Sequence, residues 1–346
     1  MRKYLIEDKK YYKANLHSHS THSDGKFTPA QCIDAYKKAG YNIYAVTDHC
    51  YTDNYHKLFT TEDFVVLNGY ENVIWYGDKF IEDDTVRGSL KTYHFNFFAK
   101  DPENQTMSGI THDGFYRFFV KVSHPENKVS KYYGDKFAEL TYSVESVNQM
   151  LAEANEAGFL VQYNHPVWSL NEPNEYLGFK GLWGMEIYNN GCNVVGYHEE
   201  TPYIYDLMLR DGQKICATAT DDNHKSADHF GGFTMIGANA LTYAEVISAM
   251  ERKDLYASTG PLIDYIYYED GTFYIKCSPA VKITMTTGSR HARIKTAEDS
   301  EITTAQFEDF DAPDDLQYYR FTVVDKNGHK AFTRGYFKDE IFRSDI

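Results

Sequence analysis

Through about residue 255 the chain alternates short apolar runs with stretches that carry helix signals. The first run, Tyr12 to Leu16, leads into His17 and His19. Behind it Thr28 reads as a helix cap, Pro29 as the first turn, Ile33, Ala35, Tyr36 and Ala39 as apolar positions, and Gly40 as the stop. The second run, Asn42 to Thr47, ends in Asp48-His49, and the third, Phe64 to Tyr70, ends in Glu71. In the fourth, Tyr93 to Ala99, the histidine His94 comes early instead of at the end. Ser143 opens a helix with Val144, Val147, Met150, Leu151 and Ala154 on one face, stopping at Gly158. The fifth run, Phe159 to Asn164, ends in His165-Pro166; the sixth, Gly184 to Tyr188, ends in Asn189-Asn190-Gly191. Thr201-Pro202 opens another helix, and the seventh run, Lys214 to Thr220, ends in Asp221-Asp222-Asn223-His224. Thr242 to Glu245 has the form of a capping box for one more helix. Residues 100–142 mix Gly, Asp, Pro and aromatics, and fit either an insertion that shapes a pocket or a long connection.

Strand–helix alternation predicts an α/β fold built on a parallel sheet or barrel. Polar residues gathered where strands end predict a site at the C-terminal face of a barrel, and seven units fit a closed or nearly closed one. No Gly-x-Gly-x-x-Gly or P-loop string argues for a nucleotide-binding sheet. After Ser258-Thr259-Gly260-Pro261 the texture changes. Ile263 to Tyr268, Thr272 to Cys277, Val281 to Thr286, Tyr318 to Val324 and Ala331 to Tyr336 read as strands, separated by turns such as Glu269-Asp270-Gly271 and Lys326-Asn327-Gly328. The expected division is a barrel over residues 1–260 and a small antiparallel, sandwich-like β domain over 261–346, which packs against the barrel or covers its mouth.

A formal charge of −15 argues against a nucleic-acid polymer or an anionic membrane as partner, while small anionic substrates stay allowed. The first ten residues lack the apolar core of a secretory signal, and five scattered cysteines read as reduced thiols, so the expected location is cytoplasmic. Thirty tyrosines read as amphipathic packing. An exposed edge strand in the β domain and an acidic surface permit both monomer and dimer.

Side chains two apart on an extended segment point the same way, so His17 and His19 can share one metal ion, with Asp24 folded back from the following loop. Their company is His49, Glu71, His94, His165, Asp222 and His224, each at or near a strand edge. Six imidazoles and three carboxylates suit zinc, manganese or iron rather than calcium, and nine ligands suffice for two or three ions when Glu71 bridges. Asp48 and Asp221 are expected to support neighbouring ligands or backbone. His198, in the loop after the sixth run, is a candidate catalytic acid for a leaving group. His22, His56, His112, His124, His229, His291 and His329 read as bystanders, and Arg87, Lys91 and Lys100 as solvated charge.

Taken in order, His-x-His with a downstream Asp, Thr47-Asp48-His49, Glu71 after the third run, His94, His165-Pro166 and Asp222-x-His224 make residues 12–260 resemble the PHP (polymerase and histidinol phosphatase) family of metal-dependent phosphoesterases. The resemblance implies a distorted seven-unit β/α barrel. It implies a first metal on His17, His19, Glu71 and Asp222, a second on Glu71, His94 and His165, and a third on Asp24, His49 and His224. The double Asp221-Asp222, Phe230-Gly231-Gly232-Phe233 and Tyr256 to Pro261 are similar to a branch that includes carbamate-ester hydrolases and often adds a C-terminal β domain. Several phosphatase relatives carry a basic residue soon after the His-Pro; here Val167-Trp168-Ser169-Leu170 follows, which leaves room for a bulkier or less charged ester. The expected function is hydrolysis of a small phosphorylated metabolite, of the nucleotide or sugar phosphate class, by a metal-activated hydroxide. The alternatives are a carboxylic or carbamate ester or amide hydrolase on the same site, or a non-catalytic metal-binding scaffold.

Overall fold

The protein is described by a computed structural model over residues 2–77, 90–111, 131–132, 138–309 and 317–342. A short strand, β1 (Lys3–Ile6), precedes the seven strands that grow from the seven apolar runs. These are β2 (Tyr12–Asn15), β3 (Ile43–Val46), β4 (Val65–Trp75), β5 (Thr92–Ala99) and, after the two-residue strands β6 (Thr106–Met107) and β7 (Lys131–Tyr132), β8 (Phe159–Tyr163), β9 (Gly184–Asn189) and β10 (Cys216–Thr220). They lie side by side in the order β10-β9-β8-β5-β4-β3-β2. The curled sheet closes just beyond the strand ends, through a parallel bridge between Ser18 and Asn223. There Asp222 N donates to His17 O at 3.0 Å and His19 N to Asn223 O at 3.1 Å.

The expectation of parallel strands holds for six of the seven, in two sets of three. β5 is the exception and runs against both neighbours. The eleven-residue β4 outruns β3 and pairs antiparallel with β5 from Gly69↔Phe98 to Trp75↔Thr92. Reversal puts the start of β5 at the same barrel end as the C-termini of the other strands. This is why His94, early in its run, still belongs with residues that end theirs.

Helices cover the outside. Thr28 caps helix Pro29–Lys38 in a full capping box with Gln31, and Ser143 caps Val144–Glu156, whose buried face is Val147, Met150, Leu151 and Ala154. Only half of the box expected at Thr242 forms. Thr242 accepts from Glu245 N, but the Glu245 carboxylate takes a hydrogen bond from Asn239 instead. The tyrosines pack as amphipaths. Tyr36, Tyr70 and Tyr205 are fully buried, with hydroxyls on Asp221, Ser108 O and Ile215 O. All five cysteines are buried and free, and among the described residues no helix is long and apolar enough to cross a membrane.

The sheet does not stop at β2. Beside β2 runs β11 (Phe233–Ile236), then β12 (Leu255–Ser258), which leads into the C-terminal strands. These are β13 (Ile263–Glu269), β14 (Thr272–Ala280), β15 (Lys282–Thr287), β16 (Ala292–Thr296), β17 (Ile302–Glu308), β18 (Tyr318–Val324), β19 (Lys330–Thr333) and β20 (Tyr336–Phe337). Here β12-β19-β18-β15-β16 continues the barrel sheet, while β1-β13-β14-β17 forms a separate antiparallel sheet. Ile266, Phe273, Ile275 and Phe307 from the separate sheet pack in one cluster with Ile283, Met285, Phe321 and Val323.

Arg320 of β18 reaches helix Pro202–Arg210 of the barrel and holds Asp206 with two hydrogen bonds, of 2.7 and 2.6 Å. Tyr318 adds a third at 2.8 Å, and both partners of the ion pair are largely buried. Asp206→Ala leaves the guanidinium buried without its carboxylate, a loss of about 3–5 kcal/mol. Urea unfolding of this variant against the parent checks the value.

Candidate metal centre

The closed end of the barrel brings all nine expected ligands together. Glu71 is at the centre, fully buried. Its Oε1 lies 3.3 Å from His17 Nε2, 3.0 Å from His94 Nδ1 and 3.3 Å from His165 Nε2. Its Oε2 lies 3.4 Å from His19 Nε2 and 3.0 Å from His49 Nδ1. Asp222 Oδ1 is 3.2 Å from His17 Nε2 and 3.0 Å from His19 Nε2. Asp24, from the loop after β2, stands 3.4 Å from His224 Nε2 and 3.7 Å from both His49 and His19.

These spacings fit divalent ions. Two ligand atoms at about 2.1 Å from one ion, at tetrahedral or octahedral angles, are about 3.0–3.4 Å apart. Four overlapping groups have ligand atoms all within 4.8 Å of one another: His19, Asp24, His49 and His224; His17, His165 and Asp222; His17, His19 and Glu71; and His49, Glu71 and His94. Glu71 Oε2, Asp222 Oδ1 and His94 Nε2 are buried with no hydrogen-bond partner, and Glu71 Oε2 and Asp222 Oδ1 face neighbouring imidazoles. Buried polar atoms of this kind call for a cation.

Burial alone would raise the Glu71 carboxyl, but His94, His17 and His49 around it hold it well below the usual carboxylate range. Burial likewise opposes, and His17, His19 and His224 outweigh it, at Asp222, which is also held low. Two of the nine positions have left-handed backbone, His165 at φ 24° and Asp222 at φ 49°. Such conformations are strained for non-glycine residues and cluster where function needs them.

A further layer of hydrogen bonds aims these side chains. Glu186, unanticipated in the sequence, accepts from His17 Nδ1 at 2.7 Å, which turns Nε2 toward Glu71 and Asp222. It also takes Thr220 Oγ1 at 2.6 Å, Asn189 Nδ2 at 3.0 Å and His165 N at 3.0 Å. The available signal was a carboxylate inside an apolar strand. Asn164 Nδ2 donates to Glu71 Oε1 at 2.7 Å, and Ser169 Oγ meets His165 Nδ1 at 3.2 Å. Asp48 accepts from Ser20 and Ser23, and Asp221 from Tyr36 and the backbone of Phe230, Gly231 and Gly232. Burial pushes the Asp221 carboxyl up to about 6 against these hydrogen bonds.

Above the cluster opens a cavity of about 290 Å³. Trp75, Trp168, Cys192 and Val195 give it an apolar wall, and Lys225 is the one lysine or arginine among the described lining residues. Lys225 was not singled out in the sequence, although it directly follows His224. His198 is exposed and is not among the residues lining the cavity. His22 pairs with the Tyr55 hydroxyl, His56 with Thr60, and Lys91 and Lys100 form ion pairs with Glu175 and Glu251. Arg87, His112 and His124 lie outside the described residues.

Among curated proteins none matches the sequence. A two-domain protein from Bacteroides vulgatus, containing a predicted PHP-like metal-dependent phosphoesterase, is 13% identical, with 96% of each chain covered and a TM-score of 0.43. An amidohydrolase from Chromobacterium violaceum, with bound sulfate and no metal, is 18% identical, covering 62% of this chain and 88% of the other at a TM-score of 0.39. Neither superposition is close enough to speak to function. Residues 15–166 match the family model of the PHP domain, a span that holds His17, His19, Asp24, His49, Glu71, His94 and His165 and stops short of Asp222 and His224.

Proposed function

We propose that this chain is a metal-dependent phosphoesterase acting on a small phosphorylated molecule. The observation that carries the reading is the Glu71 carboxylate, whose two oxygens are shared among five imidazoles. A carboxylate shared in this way could serve neighbouring ions. His17, His19, Glu71 and Asp222 would hold one, Glu71, His94 and His165 a second, and Asp24, His49 and His224 a third. Divalent ions so held supply a water acidic enough to attack near neutral pH and positive charge for the phosphoryl oxygens. In the hydrolysis a bond from water oxygen to phosphorus forms, the bond to the ester oxygen breaks, and the released alcohol takes up a proton. The chain's own part is to fix the ligands. Glu186 and Ser169 orient His17 and His165, Asn164 steadies Glu71, and the lining residues set what reaches the cluster.

One feature favours a second reading, hydrolysis of a carboxylic or carbamate ester or an amide. Trp75, Trp168, Cys192 and Val195 make part of the wall apolar, and among the described residues it carries a single lysine, sparse provision for a doubly charged phosphate.

Metal content of protein purified without chelator, with turnover of p-nitrophenyl phosphate, bis-p-nitrophenyl phosphate and p-nitrophenyl acetate on the same sample, tests both. Two or three ions per chain with phosphate turnover is the expected result; acetate turnover alone would transfer the site to the second reading. Chelation is expected to lower the thermal midpoint and added manganese or zinc to restore it, because an ion at 100 times its dissociation constant stabilises the folded chain by about 2.7 kcal/mol. Asp222→Ala should abolish phosphate turnover. Glu186→Gln should weaken metal affinity by about 10- to 100-fold, read by competition with a chromogenic chelator.

A further inference from the structure

The cavity lining is chemically mixed. His224, Lys225 and Asp228 are among its polar members. Trp75 and Trp168 stand edge-to-face with His94, at centroid distances of 6.5 and 5.3 Å, and Trp168 stands 5.0 Å from His165. Glu71 and Trp75 are four residues apart on β4, so they share a face of that strand. Trp168 is fixed through its backbone. Its N–H and that of Val167 donate to the two oxygens of buried Glu199, at 2.8 and 3.1 Å, and Ser169 N donates to His165 O at 3.1 Å. Both indoles are only partly buried and line the cavity, which leaves aromatic surface for a ligand.

Resting on the hydrolase reading above, we propose that Trp75 and Trp168 form a leaving-group subsite that favours esters of flat aromatic alcohols over esters of glycerol or sugars. A substrate whose ester group sits on the ligand cluster near His94 and His165 puts its alcohol portion against these indoles. A planar ring gains stacking or edge-to-face contact there. Most hydroxyls of a sugar would lose water against the ring faces of Trp75 and Trp168 and the methyls of Val195, which offer no acceptor and, as donors, only the indole N–H groups. The cavity volume, about 290 Å³, suits one ring with its ester group.

The test compares kcat/KM for phenyl phosphate and glycerol 3-phosphate in the metal-loaded protein and in Trp168→Ala, Trp75→Ala and Trp168→Phe, with metal content measured on each. The parent should prefer phenyl phosphate. That preference should fall about tenfold in each alanine variant at unchanged metal content, while Trp168→Phe keeps most of it. An unchanged preference in both alanine variants, or a parent that prefers glycerol 3-phosphate, would overturn the subsite and leave the phosphoesterase reading standing. A metal-loaded parent that hydrolyses neither ester would remove both.

Discussion

A buried carboxylate among imidazoles is the constraint around which the rest of the molecule is arranged. Glu71 sits with no exposure to water, and a bare charge at such a depth is untenable unless its surroundings balance it. Five histidines from β-strand ends and adjoining loops do so, delivered from four different parts of the barrel. His17 and His19 follow β2, His49 follows β3, His165 follows β8, and His94 begins β5. Closing the sheet through Ser18 and Asn223 brings Asp222 and His224 to the same spot. The barrel is a device for convergence, and its interior polarity follows. Asn15, Asn96, Gln162, Asn164 and Thr218 are fully buried beneath the ligands, each hydrogen-bonded, where an ordinary barrel would place branched aliphatics.

Much of this was legible in the sequence because it depends on local patterns. Apolar runs marked the seven strands, caps at Thr28 and Ser143 marked helix starts, and the spacing of His17 and His19 marked a shared face. Direction was not legible. Nothing in Tyr93 to Ala99 says which way the strand runs, since alternation and β propensity are the same in both senses. The antiparallel pairing with β4 decides it, and residues 71–75 continue the strand past where the run seemed to end. Glu186 was hidden for a similar reason. It lies inside an apolar run, and only the closed barrel shows His17 opposite. Strands β11, β12, β16 and β17 were also missed. They are short or carry exposed polar residues, and β11 and β12 also pair with β2 and β19, far away in sequence.

The C-terminal β strands are continuous with the site-bearing sheet rather than appended to it. β12 pairs with β19, Arg320 grips Asp206, and Lys330 reaches Glu200 in the segment that follows the cavity wall. Cys192, Val195 and Glu199 lie on this same segment, so the β domain braces the part of the chain that walls the cavity and, through Glu199, the turn that carries Trp168.

Strand β1 has its partner far along the chain, with Lys3 opposite Tyr268. On the ribosome β1 is therefore satisfied only long after it is made. At about 5–20 residues per second, its partner emerges tens of seconds later. During that time Lys3–Ile6 presents an open edge, and Lys3, exposed Tyr4 and the charged residues Glu7 to Lys10 that follow are what guards it against pairing with a neighbouring nascent chain.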